Sequence, residues 1–183
     1  MGTDATAVVV RIQHEAFDEA LEAQRLRHAH SGARVSFVGY VRDGDNPSLN
    51  LKSLTLEHYP GMTESAIENM VSVALGRFSI QQVTIIHRIG ELHVGEPIVW
   101  IMVTSRHRRD AFEGCEFLMD YLKTQAPFWK KETWSDGTSQ WVDARESDDE
   151  ALRRWGVASH NATQTQAEAG KASNKKLPGF TAG

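Results

Sequence analysis

The stretch LKTQAPFWKKE, residues 122–132, redirects the chain at Pro127 and places three lysines around that point. Proline cannot continue a helix, and it disfavours helical geometry at the residue before it. We therefore expect Lys123 near the C-terminal end of a helix and Lys130 on an extended segment beyond it. The fold around this junction depends on how the helix and the strand pack together.

Two lysines that meet in one cleft would give the junction a chemical function. Each ammonium group disfavours the charge of the other, so the pKa of a lysine falls from about 10.4 towards the range where a neutral amine exists. A neutral amine is a base or a nucleophile. The alternative is structural, because a lysine in the last turn of a helix complements the helix dipole and lysines along a strand are commonly solvated.

The residues on either side of this stretch predict a helix and a hairpin. From residue 110 to 125, apolar side chains recur at spacings of three and four, which predicts a helix that buries Phe112 and Cys115. After Pro127, a strand, the turn residues 135–137 and a second strand at 140–142 predict an antiparallel hairpin. A short helix is expected at 148–155, and the polar composition of residues 157–183 predicts a disordered tail.

Periodicity predicts further elements in the N-terminal part of the chain. They are helices at 14–27 and 64–78 and strands at 33–42, 51–59, 83–89 and 97–105. The strands at 33–42 and 51–59 are expected to form a hairpin across a long loop, and the two later strands to lie in the centre of a sheet. Met62 and Met70 are expected in the core. The elements show no regular βαβ alternation, so we expect an α+β fold with one domain over residues 1–156.

Composition limits the class of protein. The 183 residues are 40% hydrophobic and 24% charged, which is typical of a globular domain. A net charge of −4 argues against affinity that comes from general neutralisation of nucleic-acid phosphates. The sequence has one cysteine, Cys115, no apolar run near the roughly 18 residues that span a bilayer, and no signal-peptide pattern at its start. We therefore expect a cytoplasmic protein without disulfides.

Cationic residues are nevertheless clustered. Arg106, His107, Arg108 and Arg109 form a run at the start of the helix predicted at 110–125, and Arg42 lies where a strand opens into a loop. Arginine can bind a phosphate through two N–H groups, and the N-terminus of a helix attracts anions. A solvated turn and a surface arginine are the alternatives. The pattern indicates a pocket for a small anion.

Cofactor motifs are absent from the sequence. His58, His87 and His93 do not have the spacing of a metal site, and no glycine-rich phosphate loop follows a strand. We expect neither a metal nor another cofactor. Cys115 could act as a persulfide-carrying nucleophile, although a cysteine on an apolar helix face usually serves only packing.

Five motifs carry a resemblance to a known family. In order they are FVGYVR (37–42), LEHYPGM (56–62), HRIGEL (87–92), SRHRRDAF (105–112) and KTQAPFWKKE (123–132). With these motifs the sequence closely resembles the large, catalytic subunit of molybdopterin synthase over roughly residues 8–155. The resemblance implies an α+β hammerhead-type fold with a mixed or antiparallel sheet and flanking helices.

The resemblance also implies a sulfurtransferase of molybdenum cofactor biosynthesis. In this family a small ubiquitin-like subunit carries a thiocarboxylate on its C-terminal Gly-Gly and inserts it into the pocket of the large subunit. Two sulfurs pass in turn to cyclic pyranopterin monophosphate and form the dithiolene of molybdopterin. The large subunits form a homodimer with a small subunit at each end, which gives a heterotetramer.

The functional residues of the family carry over by position. Lys123 and Lys130 match its two essential lysines. The positions expected to bind substrate are Tyr40, Val41, Arg42, His107, Arg108, Lys131 and Glu132. Tyr40 departs from the family, in which lysine can stand at this position. One alternative is a module that docks a ubiquitin-like tail without using either lysine.

Overall fold

The computed structural model describes residues 6–25, 30–44, 50–142 and 153–156. Within these ranges eight strands form two four-stranded sheets, accompanied by three α-helices. The first sheet has the order β1 (Ala7–Gln13), β4 (Ile80–Arg88), β6 (Pro97–Ser105) and β2 (Ala33–Tyr40). The second has the order β5 (Gly90–Leu92), β3 (Leu51–His58), β7 (Phe128–Trp134) and β8 (Ser139–Val142).

The first sheet is mixed and the second is antiparallel. Strand β1 runs parallel to β4, whereas β6 is antiparallel to both β4 and β2. The helices are α1 (Glu19–Arg25), α2 (Met62–Arg77) and α3 (Arg108–Gln125). Strands β4 and β6 occupy the centre of the first sheet, as their β-branched composition predicted. The α+β class and its mixed and antiparallel sheets are confirmed.

One expectation about the strands was wrong, and two strands, β1 and β5, were not predicted. Strands β2 and β3 do not form a hairpin, because β2 pairs with β6 while β3 pairs with β5 and β7. A connection as long as residues 41–50 does not fix a register as a turn of two residues does, so each strand pairs in a different sheet. Residues 45–49 of this connection lie outside the described ranges.

The main core lies between the first sheet and the helices α2 and α3. Helix α3 buries residues along one face, and four of its buried side chains join residues of β4 and β6 in the core: Cys115, Phe117, Leu118 and Leu122. Complete burial of one large apolar side chain stabilises the fold by about 1.5–3 kcal/mol. Phe112 was expected on this face but is 62% exposed, because the buried stripe passes beside it. Met70 is buried as expected, whereas Met62, at the first turn of α2, is 57% exposed.

The junction between α3 and β7 has the predicted form. Ala126 is extended (φ −78°, ψ 126°), as a residue before proline should be, and β7 follows at once. The carbonyl oxygen of Pro127 accepts a hydrogen bond from the Thr63 hydroxyl of α2, at 3.3 Å. Strands β7 and β8 form the expected hairpin, in which Gly137 adopts the left-handed conformation (φ 87°).

The remaining expectations concern the ends of elements. Helix α1 begins later than predicted, because the Asp18 carboxylate accepts a hydrogen bond from the backbone N–H of Leu21 at 3.0 Å and caps the helix there. Residues 26–27 of that prediction lie outside the described ranges, as do most of the helix expected at 148–155 and the whole tail at 157–183. None of the helices described is long and apolar enough to span a membrane.

Candidate active site

A cavity of about 450 Å³ lies where residues of both sheets meet the last turn of α3. Its charged lining, among the residues that the structure places, consists of Arg42, Lys123, Lys130 and Glu132. Much of the remaining wall is apolar and includes Leu51, Leu54, Leu56, Ile98, Val99, Met119, Leu122 and Phe128. Charges beside an apolar wall interact more strongly than charges in bulk water. The net positive charge of this lining therefore favours a ligand with an anionic group, and the apolar wall can contact an uncharged part of that ligand.

The alternation of β7 decides which of its side chains reach the cavity. Successive residues of a strand point to opposite faces. Phe128, Lys130 and Glu132 line the cavity, and they alternate with Trp129 and Lys131, which do not. Because only two residues separate α3 from β7, Lys123 in the last turn of the helix reaches the same cavity as Lys130.

Residues at the end of β2 supply another wall. The backbone of Val41 is held by two hydrogen bonds: its N–H donates to the carbonyl oxygen of Glu96 at 2.9 Å, and its carbonyl accepts from the N–H of Gly95 at 2.8 Å. This anchors Arg42 at the cavity. The Tyr40 hydroxyl donates to Oε1 of Glu19 at 3.2 Å. Desolvation and the Glu19 carboxylate raise the pKa of Tyr40, so this phenol stays protonated at neutral pH.

The structure separates three of the expected substrate-binding residues from this cavity. His107 is the exposed N-cap residue of α3, and Arg108 is the first residue of the helix. Lys123 follows Arg108 by fifteen positions, which is about 22 Å along a helix that rises 1.5 Å per residue. The Lys131 ammonium lies 5.5 Å from the centre of the Trp141 ring, on the other face of β7. Tyr40, Val41, Arg42, Lys123, Lys130 and Glu132 are brought together.

His87 is a cavity residue that the sequence reasoning did not single out for the site. Its ring is buried and stacks on Phe128, with centroids 3.8 Å apart and planes 13° apart. Burial lowers the pKa of His87 to about 3, and the charges of Lys130 and His58 act in the same direction. The period-2 pattern of β4 could have revealed it, because His87 is on the same face as the core residues Val83 and Ile85.

Cys115 has the environment of a packing residue. It is 4% exposed within the main core and is not part of the described cavity lining. Burial, and to a lesser degree the Glu116 carboxylate, raises the pKa of Cys115 to about 11. A thiolate is the reactive form of cysteine, so this environment opposes a persulfide mechanism.

Known proteins resemble this chain over most of its length. The family described as MoaE protein matches residues 12–125. A relative from Ralstonia nicotianae, named molybdopterin synthase catalytic subunit, is 45% identical over 168 residues, which is 91% of this chain and 94% of the relative. The solved structure of molybdopterin cofactor biosynthesis protein E from Burkholderia multivorans has a TM-score of 0.70 and 48% identity, with coverage of 84% of this chain and 99% of that one.

A more distant structure shares the fold. It is described as the protein–protein complex of subunits 1 and 2 of the molybdopterin-converting factor from Helicobacter pylori. Its TM-score is 0.60 at 23% identity, and the match covers 75% of this chain and 90% of that one. At this identity the likeness concerns the fold alone.

Proposed function

The chain belongs to the MoaE family, and from that premise we propose that it is the catalytic subunit of a molybdopterin synthase. It would act as a sulfurtransferase of the cytoplasm. The sulfur comes from the thiocarboxylated C-terminus of a small ubiquitin-like subunit and passes to cyclic pyranopterin monophosphate, on which the dithiolene forms. The observation that carries the proposal is the placement of Lys123, Lys130 and Arg42 on one partly apolar cavity.

The proposed roles follow from charge and position. Arg42 binds the cyclic phosphate, because a guanidinium offers two parallel N–H groups to phosphate oxygens. Lys123 moves a proton or forms a transient covalent bond while the thiocarboxylate sulfur attacks a pterin carbon and displaces an oxygen substituent. Water then hydrolyses the acyl carbon–sulfur bond, which leaves the sulfur on the pterin and a carboxylate on the small subunit. Lys130 stabilises the negative charge that develops, an effect worth a few kcal/mol per group. Tyr40, Val41 and Glu132 are proposed to contact the substrate within the same cavity.

His107 and Arg108 support a site that two copies of the chain share. Within one chain the length of α3 holds them about 22 Å from Lys123. They can join a cavity that contains Lys123 only if a second copy supplies them. We therefore assign them, as phosphate-binding residues, to the cavity of the partner in a homodimer. A small subunit bound to each copy completes a heterotetramer.

The central test is formation of the dithiolene. Wild type, Lys123→Ala and Lys130→Ala are each mixed with thiocarboxylated small subunit and cyclic pyranopterin monophosphate. Lys52→Ala, a change at an exposed lysine of β3, is the matched control. Turnover should fall by about 100-fold or more in the two cavity variants and stay unchanged in the control. Near-wild-type turnover in Lys123→Ala would refute its role.

A non-catalytic docking module would give a different result. In that case the small subunit binds, but neither wild type nor any variant forms product, and calorimetry detects no binding of the pterin. The proposed enzyme binds the pterin without the small subunit, since Arg42 and the lysines line the cavity of this chain. A chain that binds the small subunit but does not bind the pterin would therefore favour the docking module.

Complementation tests the shared site. Lys123→Ala and Arg108→Ala are mixed and allowed to exchange subunits. Half of the resulting dimers are mixed, and each mixed dimer has one intact site, so about a quarter of wild-type activity should return. The control mixes Lys123→Ala with Lys130→Ala, whose changes fall in the same cavity, and it should recover nothing. Equal outcomes in the two mixtures would contradict the shared site.

A further inference from the structure

The ring of His87 is fixed in orientation and in tautomer. It stacks on Phe128, and Nδ1 lies 2.8 Å from the carbonyl oxygen of Arg88. A carbonyl oxygen only accepts hydrogen bonds, so Nδ1 carries the ring hydrogen and donates it. Nε2 must then carry the lone pair. The side chain presents one nitrogen that can accept a hydrogen bond from a neighbour.

Lys130 is the neighbouring donor that the fold places beside this ring. Phe128 and Lys130 are two residues apart on β7 and line the same cavity, so their side chains leave the strand on one face. His87 covers the Phe128 ring and lines the cavity as well. Lys130 and His87 therefore both border the same cavity, and Phe128 is on the strand face of the one and in ring contact with the other. The charge of Lys130 is also one of the causes that lower the pKa of His87, after burial of the ring.

A neutral acceptor suits this place better than a carboxylate would. His87 is only 6% exposed and burial lowers its pKa to about 3, so the ring is neutral at pH 7. The ring therefore cannot act as a general acid at that pH, although Nδ1 still donates its hydrogen bond. A neutral nitrogen can hold an ammonium group without cancelling its charge, whereas an ion pair with a carboxylate would weaken the attraction of the cavity for an anion.

We propose that His87 is a positioning residue, which accepts a hydrogen bond at Nε2 from the Lys130 ammonium and directs that group into the cavity. The other titratable or charged groups around this pair are Arg42 after β2, His58 on β3, Lys123 on α3 and Glu132 on β7. The role of Lys130 in turnover rests on the proposed function. The hydrogen bond itself can be tested without turnover.

The first test measures how readily the Lys130 amine reacts at different pH values. Wild type, His87→Phe and His87→Gln are labelled with trace acetic anhydride, and acetylation is quantified by mass spectrometry at each lysine. Phenylalanine keeps an aromatic ring against Phe128 but cannot accept a hydrogen bond. Loss of the acceptor disfavours the ammonium form of Lys130. The midpoint of the pH dependence of Lys130 acetylation should therefore move down by about 0.5–1 pH unit. Glutamine, which offers an acceptor oxygen, should restore about half of the shift or more.

Lys52 is the internal reference for these measurements, because it lies exposed on β3. Its midpoint should be the same in all three proteins. A Lys130 midpoint that stays in place in His87→Phe, or one that moves together with Lys52, would overturn the proposal. Because the labelling requires no substrate, failure of the proposed function would leave this result interpretable.

The second test does not depend on whether a His87 variant folds. In wild type, ¹⁵N NMR of the imidazole should show Nδ1 protonated and Nε2 unprotonated from pH 5 to pH 8, a range above the pKa of about 3. Lys130→Ala removes the donor and should move the Nε2 resonance. Nδ1 should remain protonated in both proteins. An Nε2 resonance that is identical in wild type and Lys130→Ala would overturn the assigned contact.

Turnover then distinguishes positioning from general support of the fold. In His87→Phe, kcat should fall about tenfold with a small change in KM, and the pH profile should shift in the same direction as the Lys130 midpoint. His87→Gln should recover part of both effects. A loss of activity that follows only the fraction of folded protein, with an unchanged pH profile, would reduce His87 to a packing residue.

Discussion

Cys115 should behave as an inert thiol, and its environment gives the size of the effect. Burial raises its pKa from the ordinary 9.0 to about 11. At pH 8 the thiolate fraction is then about 0.1%, compared with about 9% for an ordinary cysteine. Thiol reagents should therefore react about 90-fold more slowly on this ground alone. Because the side chain is 4% exposed, restricted access should slow the reaction further.

A disulfide reagent such as Ellman's reagent measures this directly. The rate for the native protein is compared at pH 8 with the rate in denaturing urea, where Cys115 has its ordinary pKa. We expect a difference of about 100-fold or more. The native rate should also rise about tenfold per pH unit between pH 8 and pH 10, because the thiolate fraction rises in this proportion below a pKa of about 11.

Substitution completes the test. Cys115→Ala should retain sulfur-transfer activity within about twofold and should cost about 1 kcal/mol of unfolding free energy, as for loss of a small buried group. Rapid modification of the native thiol together with loss of turnover would refute the reasoning. Such a result would restore the persulfide mechanism that the sequence left open.

Two further predictions concern stability. Leu118→Ala removes a fully buried side chain of α3 and should lower the unfolding free energy by about 2–5 kcal/mol in urea titration, whereas Val73→Ala on the exposed side of α2 should change it by less than about 0.5 kcal/mol. Gly32→Ala should lower the unfolding free energy by about 1–3 kcal/mol, because a Cβ there would overlap the backbone carbonyl oxygen of Arg106. An unchanged melting temperature in Gly32→Ala would contradict this close approach.

The sequence predicted the elements whose signals are local. Pro127 marked the boundary between α3 and β7, and the turn residues at 135–137 marked the hairpin that follows. Helix spacing placed Cys115 inside, although it also placed Phe112 there, which is exposed. These features depend on residues close together in the chain, so the local pattern contains the necessary information.

Strand partners were harder to predict, because pairing joins residues that are distant in sequence. In the order β1-β4-β6-β2, each strand pairs with a strand that is distant in sequence or separated from it by other elements. No local pattern specifies that β2 should pair with β6 rather than with β3. Strand β1 was missed although Val8, Val9, Val10 and Ile12 give it a strongly β-branched composition. Its pairing with β4, which begins at Ile80, is the part that no local pattern specifies. Registers of this kind depend on which apolar faces the whole fold can bury.

The candidate site residues that the structure brings to one cavity lie on neighbouring elements. Lys123 and Lys130 meet because a short connection joins α3 to β7, and Arg42 meets them at the end of β2. Lys131 follows Lys130 directly in sequence, yet strand alternation turns it to the opposite face and over Trp141. Sequence proximity therefore does not establish a shared site, even between adjacent lysines.

Helix α3 has a consequence for how activity depends on assembly. It is a rod of 18 residues, about 27 Å long, with Arg108 at its first residue and Lys123 in its last turn. Packing of its buried face against β4 and β6 keeps the rod rigid, so thermal motion cannot bring its two ends to one substrate. If both ends serve the proposed reaction, a single copy carries two half-sites and no complete one. Specific activity should then fall on dilution below the dissociation constant of the dimer, even while each copy remains folded.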